Sequence, residues 1–494
     1  MINQLPILQL LLFLGMALSI PLLRKRRFNT TLRLGFIVLC LVLISSVFIY
    51  IHVISEGPIL YYFGNHAQRL GIEFKVDAFS SFFTMFIVIL AMIIYIYSSG
   101  DQTEGIEEKE YGRYYILFFI LMMSMFGILY TNDLFNTYVF IEILSITTCA
   151  IISIKRKKDT YTSAFRYVML NEIGSLSYLF GVALIYMATG YTNMTLVYES
   201  ISQVWQTFPV NLIIAISFMI VGLGIKAAVF PFHIWLPDAH SSAPSTSSAI
   251  LSAIVVKVYI LVLTKVLFRV YGIDVLEALN IPVILMVLAS IGMIMGSVFA
   301  IAQKDVKRML GYSSVAQVGY IILGISLLTH DGLRAAFFHI LSHGLMKTAL
   351  FLSAGAIIFY KKTRRINDFD GLGYIMPVAM GLFSIAGLGM IGIPLTSGFI
   401  SKLNLGLAVL ELESWILLAI IIVSSLLNVI YYLPIIISAF LKNEKYHYRL
   451  ETIEKTPKGM LIPLIILGVL IIGLGVFPEP IMNLIEYAIT SLQA

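Results

Sequence analysis

The sequence predicts an all-α polytopic membrane protein with about 14 transmembrane helices. Three observations predict it. The 494 residues are 59% hydrophobic and only 12% charged, whereas a soluble domain carries about 25% charged residues. Mean hydropathy is +0.93, more apolar surface than a soluble core can absorb. Apolar runs of about 20 residues recur along the chain. The basic residues between those runs alternate in density, as the positive-inside rule requires.

The runs predict spans near 5–23, 34–54, 76–98, 113–131, 134–153, 163–188, 209–232, 246–270, 281–301, 309–328, 332–359, 374–410, 415–440 and 459–477. No basic residue precedes the stretch from Ile7 to Leu23. A cleavable signal wants one, so this stretch is expected to stay as the first span. The run 374–410 is too long for one regular helix and is broken by Gly392, Pro394 and Gly398. In 209–232, Pro231 lacks an N–H and interrupts the ladder. The longest connections (55–75, 99–112, 189–208 and 441–458) run to about 20 residues each and leave no room for a soluble domain.

Arg24, Lys25, Arg26, Arg27 and Arg33 mark the first connection. Lys155, Arg156, Lys157, Lys158 and Arg166 mark the fifth, and Lys304, Lys307 and Arg308 the ninth. Lys361, Lys362, Arg364 and Arg365 mark the eleventh; Lys442, Lys445, Arg449, Lys455 and Lys458 mark the thirteenth. Lys109 and Arg113 add to the third, which is acidic as well (Asp101, Glu104, Glu107, Glu108, Glu110). The even connections hold only Arg69, Lys75, Arg269 and Arg334. Odd connections are therefore expected in the cytoplasm, with both termini outside the cell membrane. The net charge of +6 reflects this topology and not a nucleic-acid partner.

Cys40 and Cys149 lie in apolar runs, and without CxxC or CxxH spacing they predict neither an iron–sulfur nor a zinc site. No glycine-rich phosphate loop occurs. No cofactor is expected in this chain, and redox or nucleotide centres would belong to partners.

Chemistry is expected from ionisable groups at membrane depth. Lys226, Lys257, Lys265, Lys347 and Lys402 fall in or beside apolar runs, as do Glu142 and Glu172. A charge at mid-membrane costs at least ~2.5–3.5 kcal/mol, so such residues usually line an ion path. Lys226 is followed one turn later by Pro231, and Lys402 follows Pro394. Charge and helix break thus coincide twice, once in each half of the chain, which points to an internally repeated transporter. His339, His343 and Lys347 are spaced four apart and share a helix face, which suits a relay better than a metal site, for which a third ligand is lacking. Glu172, His233, His240 and Asp238 are further candidates. The segment 235–245 is expected to be a polar, Pro-punctuated loop that is either a turn or a water inlet. Lys265, near a span end, is expected to snorkel, and Arg269 and Glu277 to be interfacial.

Together these residues resemble the antiporter-like subunits shared by Mrp cation/proton antiporters, respiratory complex I and membrane-bound hydrogenases. The segment from Asn132 to Asn136 with Glu142 is most similar to the D-type subunit of Mrp antiporters. The run from Trp235 to His240 and that from Ser342 to Lys347 are more similar to complex I and hydrogenase members. Family members commonly carry an aromatic residue before the buried glutamate, where this chain has Ile141. The resemblance implies three N-terminal helices in 1–112, inverted five-helix repeats in 113–270 and 281–440, and a last helix in 441–494. It implies Glu142 with Lys226 as the input pair, Lys257 and the histidines as a central hydrophilic axis, and Lys402 as the terminal site. H+ and/or Na+ would be the cargo, with lipid and other membrane subunits as partners: antiporter-like and small subunits, or hydrogenase or quinone-module subunits. The enzyme question then rests with the assembly, since no redox or hydrolytic site is evident in the chain. A structural scaffold that anchors partners without conducting is the rival reading, and a self-contained membrane enzyme a third.

Overall fold

A computed structural model describes residues 2–23, 28–65, 71–100, 105–441 and 457–493. Of the topological charges, Arg24, Lys25, Arg26, Arg27, Arg69, Asp101, Glu104, Lys442, Lys445, Arg449 and Lys455 lie outside the described residues.

The apolar runs become helices α1 (Leu5–Leu23), α2 (Phe28–Glu56), α3 (Ala78–Gly100), α4 (Tyr111–Tyr130), α5 (Leu134–Ser153) and α6 (Lys158–Thr189). A short α7 (Met194–Val204) leads to α8 (Pro209–Lys226), α9 (Trp235–Ser242) and α10 (Ser245–Ile250). α10 runs through a π-helical turn, Leu251–Val255, into α11 (Val256–Val266), and a second π turn, Leu267–Tyr271, closes that span. There follow α12 (Ile273–Ala278), α13 (Ile281–Ile301), α14 (Val306–Ser326), α15 (His330–Lys361), α16 (Leu372–Ile375), α17 (Pro377–Ile391), α18 (Ser397–Glu411), α19 (Trp415–Phe440), α20 (Lys458–Val476) and α21 (Glu479–Gln493). Among the described residues, 13 helices are long and apolar enough to cross a membrane. α17 and α18, either side of the break at 392–396, supply the interrupted span the sequence predicts. The protein is an integral multi-pass membrane protein.

Local chemistry sets the ends. The Asp133 side chain accepts from the Asn136 amide to start α5, Asp305 from Arg308 to start α14, and Thr329 from Gly332 to start α15. These are N-caps satisfying otherwise orphan donors. Gly392, at φ 96°, ends α17 in the left-handed region that glycine tolerates best.

Several elements lie outside the predicted spans. β1 (Ile59–Tyr62) and β2 (Glu73–Val76) form an antiparallel hairpin pairing Ile59 with Val76. Amphipathic α7 lies against the π turn that ends the α11 span. α21 packs on α3 and α15, and its Ser491 carbonyl accepts from Arg269 (3.0 Å). The segment 235–245, expected to be a loop, is mostly helical: α9 and the start of α10 flank Ala243 and Pro244. Its polar Ser and His residues pack inward.

Burial divides the helices into two classes. The spans Ser245–Tyr271 and His330–Lys361 are buried along their whole apolar windows, while α1, α2, α13, α19 and α20 bury well under half of theirs. The outer helices turn Leu18, Leu22, Met187, Ile416 and Leu426 outward, as a lipid-facing surface requires. The central helices are screened from lipid on every side, and they carry Lys257, Lys265, His339, His343 and Lys347. Glycine permits the tightest approach between the helices around them. A Cβ on Gly222 of α8 would sit 2.5 Å from the Gly174 carbonyl oxygen of α6, closer than real Cβ contacts come.

Candidate ion-translocation site

The site begins where α8 stops. Lys226 is the last residue of α8 and is fully buried. Its Nζ donates to Ser145 Oγ on α5 (2.7 Å) and lies 5.6 Å from the Tyr259 ring of α11. Ser145 and Tyr259 hydroxyls are 3.3 Å apart. The helix ends because the chain leaves helical geometry at Ala228 (φ 54°) before Pro231. The Trp235 indole N–H then reaches back to the Ile225 carbonyl (2.7 Å), tying the start of α9 to the end of α8. Glu142, one turn before Ser145, and Glu172 on α6 are half-buried. Their side chains interact with each other, and both act electrostatically on Lys226. Neither closes to ion-pair distance with it among the described residues. One Glu142 oxygen, Oε1, is buried without a hydrogen-bond partner.

A second cluster surrounds Lys257, which follows the first π turn on α11. Its Nζ donates to the Ser252 carbonyl of that turn, a group that the π geometry redirects from the regular ladder. His339 and His343 stack 5.8 Å apart on α15. Lys257 acts electrostatically on both, on Lys347 and on His240. The Lys347 Nζ donates to the Leu310 carbonyl and to Ser313 Oγ, both at 2.8 Å. The His240 ring on α9 lies tilted against Phe351 (4.7 Å between centroids), and both its ring nitrogens are buried without hydrogen-bond partners among the described residues, as are those of His343.

The far end is the break between α17 and α18. Lys402 Nζ donates to the last carbonyls of α17, those of Met390 (2.7 Å) and Ile391 (3.1 Å), and lies 4.9 Å from the Tyr320 ring. Tyr320 stacks on His339 (5.5 Å), whose Nδ1 meets Ser401 Oγ at 2.9 Å. The break holds its shape because a Cβ on Gly398 would overlap the Gly389 carbonyl. Pro394 sits in the break itself, so both proline interruptions coincide with an amine.

Two groups thus emerge: Glu142, Glu172 and Lys226, then Lys257, His240, His339, His343, Lys347 and Lys402. No hydrogen bond joins Lys226 to Lys257 among the described residues; α11 carries Lys257 and, two residues on, Tyr259, whose hydroxyl lies with Ser145 on the Lys226 side. Two candidates stand apart. Asp238 pairs with Arg166 (2.7 Å) and Arg308 (3.3 Å) at the basic end of the bundle. His233 stacks between Phe230 (5.3 Å) and Phe299 (5.8 Å).

Three basic residues are packed inside the protein. Lys265 does not snorkel. It is 1% exposed, and its Nζ donates to the Leu129 and Thr131 carbonyls (3.2 and 2.5 Å), capping the end of α4 with a cation. Lys307, expected in a connection, is buried and donates to the Ala243 carbonyl (2.5 Å) within electrostatic reach of His240. The Asp305 cap is the signal in the sequence that places Lys307 inside a helix. Arg269, near the end of its span, is buried in the protein and ion-paired to Asp77.

Residues 131–428 match the model of the NADH:quinone oxidoreductase/Mrp antiporter transmembrane family. The chain is 36% identical over 452 residues to NADH-quinone oxidoreductase subunit N of Desulforudis audaxviator, covering 87% of each chain. It is 30% identical to the D-type subunit of the Na+/H+ antiporter of Alkalihalophilus pseudofirmus, over 91% of this chain and 89% of that one. Among solved structures, a chain of an archaeal membrane-bound sulfane sulfur reductase superposes with a TM-score of 0.90 at 29% identity, covering 99% of this chain and 98% of the other. These relatives are subunits of multisubunit membrane complexes. With a matched core that includes both helix breaks and both groups of buried ionisable residues, this chain belongs to the NADH:quinone oxidoreductase/Mrp antiporter transmembrane family.

Proposed function

We propose that this chain is an ion-translocating subunit that moves protons, sodium ions or both along the Glu142–Lys226–Lys257–His339/His343–Lys402 axis. Lys347, with His240 and Lys307, forms a branch toward the basic end of the bundle. The observation that carries the reading is the setting of the amines. Lys226, Lys257, Lys347 and Lys402 are buried, yet among the described residues each ends on a carbonyl or a hydroxyl and none on a carboxylate. Neutral dipoles satisfy an amine without locking in its charge, whereas a permanent buried ion pair would fix it. A carboxylate drawing near favours the ammonium form, and its withdrawal favours proton release. Glu142, interacting with Glu172 and acting on Lys226 from beyond ion-pair distance, suits that switching role. Tyr259 and Ser145 supply hydroxyls for the step toward Lys257. The partnerless nitrogens of His240 and His343 and the Gln317 amide call for water, because buried polar groups are rarely left unsatisfied.

In this reading residues 113–270 and 281–440 act as inverted five-helix repeats, each built around one broken helix, with odd connections in the cytoplasm and both termini outside the cell membrane. Partners are other membrane subunits, and the driving energy, whether redox or an existing gradient, comes from them. The test is ion transport by the assembled complex carrying Lys226→Ala. Loss of transport with assembly intact supports the reading. Undiminished transport contradicts it, and failed assembly with transport kept by the residual complex favours the scaffold.

A further inference from the structure

At the basic end of the bundle, away from the axis, a cleft of about 390 Å³ opens between the α5–α6 turn and the end of α15. Lys155 and Lys157 line it from one side, and Lys362 and Arg364 from the other. Against these four cations the cleft presents, among the described residues, a single carboxylate, Asp159. Lys157, Lys362 and Arg364 are exposed. Among the described residues, these cations contact neutral groups. Lys155 donates to the Ala243 carbonyl (3.3 Å), Arg364 to the Ser241 carbonyl, and Lys362 lies 4.6 Å from the Phe359 ring. Arg364 also reaches Asp305 at 3.5 Å. Like charges gathered in a concavity repel one another and focus a positive potential there. Phe359 and its neighbour in the last turns of α15 add an apolar wall, with Thr160 and Ser242 also lining the cleft. That helix is long and apolar enough to span the bilayer, so its end lies at headgroup level.

We propose that this cleft binds a phosphate-bearing anion, and that its source is the headgroup of an anionic phospholipid. A bare phosphate fills little of 390 Å³, whereas a phosphodiester with its glycerol uses both the cations and the apolar wall. Basic pockets between membrane helices on the cytoplasmic side are built to hold such headgroups. The site depends only on the bilayer placement of the helices, not on conduction.

The test uses the full-length chain, purified in detergent with its partner subunits and stripped of lipid. Binding of short-chain phosphatidylglycerol, short-chain phosphatidylcholine and inorganic phosphate is measured by native mass spectrometry. Phosphatidylglycerol is expected to bind about tenfold tighter than phosphatidylcholine, and about tenfold more weakly to the double variant Lys157→Ala/Lys362→Ala. The variant Lys157→Arg/Lys362→Arg is expected to keep binding, and unchanged melting of both variants separates lost binding from lost folding. Equal binding of the two lipids, undiminished binding by the alanine variant, or displacement by inorganic phosphate at the lipid's own concentration would each overturn the proposal.

Discussion

A lysine ammonium removed from water needs oxygen atoms around it, and the groups beyond those oxygens decide what the residue can do. Lys265 finds two backbone carbonyls at the end of α4 and so serves as a cap. Replacing it with methionine leaves those carbonyls without a donor. We expect an apparent stability loss of about 1–3 kcal/mol, read as a lower melting temperature of the purified complex, with transport per assembled complex preserved. Arg269 is held differently, by the buried carboxylate of Asp77. Removing one member of such a pair strands a charge at a cost of about 3–5 kcal/mol. Arg269→Met should therefore destabilise strongly, and Arg269→Met combined with Asp77→Leu should recover much of the loss. A double variant no more stable than the single one would show that the pair does not act as a unit. Lys226, Lys257, Lys347 and Lys402 have neutral acceptors as Lys265 does, but lie within electrostatic reach of Glu142 and Glu172 or of the buried histidines. From sequence, Lys265 and Lys402 are alike, one lysine each near an apolar run. What separates a cap from a relay is the neighbouring helix, which spacing does not reveal.

Between residues and the whole molecule, the deciding elements are the interrupted helices. α8 stops at Lys226, and α17 stops at Gly392 and delivers its last carbonyls to Lys402. The terminal carbonyls of a helix carry a partial negative charge and lack intrahelical donors. A break at membrane depth therefore makes a place for a cation where regular helix makes none. The second break depends on the close approach of Gly398 to the Gly389 carbonyl. Gly398→Val is expected to push α18 from α17, costing about 1–3 kcal/mol as overpacking does and lowering transport together with stability. Wild-type melting and transport in that variant would show that the contact is dispensable. Both breaks are legible in the sequence because proline and glycine punctuate apolar runs too long or too interrupted for one helix. The β1–β2 hairpin, α7 and α21 are not. Each is too short or too amphipathic to register as a span, and each is held by tertiary contacts, such as the Asn193 side chain donating to Glu73 of β2 (2.5 Å).

At the scale of the molecule, spans in the outer layer shield two spans that are entirely buried, Ser245–Tyr271 and His330–Lys361. Lys257 stands on one of them and His339, His343 and Lys347 on the other, so the most ionisable helices are the ones lipid does not reach. The number and limits of the spans can be read from hydropathy, since α5, α13 and α19 fall where the apolar runs begin and end. Which spans lie inside cannot, because Ser245–Tyr271 is as apolar as the outer helices and only packing distinguishes it. Lys257 is the hub of this interior, acting on His240, His339, His343 and Lys347, while Lys226 shares with it only helix α11, through Tyr259. If charge crosses the molecule along this row, removing the hub severs it even with both ends present. The direct measurement is ion uptake into vesicles bearing the assembled complex with Lys257→Met, which keeps an unbranched side chain one atom shorter and removes its charge. The account predicts a fall of roughly tenfold or more, since ~1.4 kcal/mol added to the limiting barrier already costs a factor of ten. Wild-type uptake by a fully assembled Lys257→Met complex would contradict it.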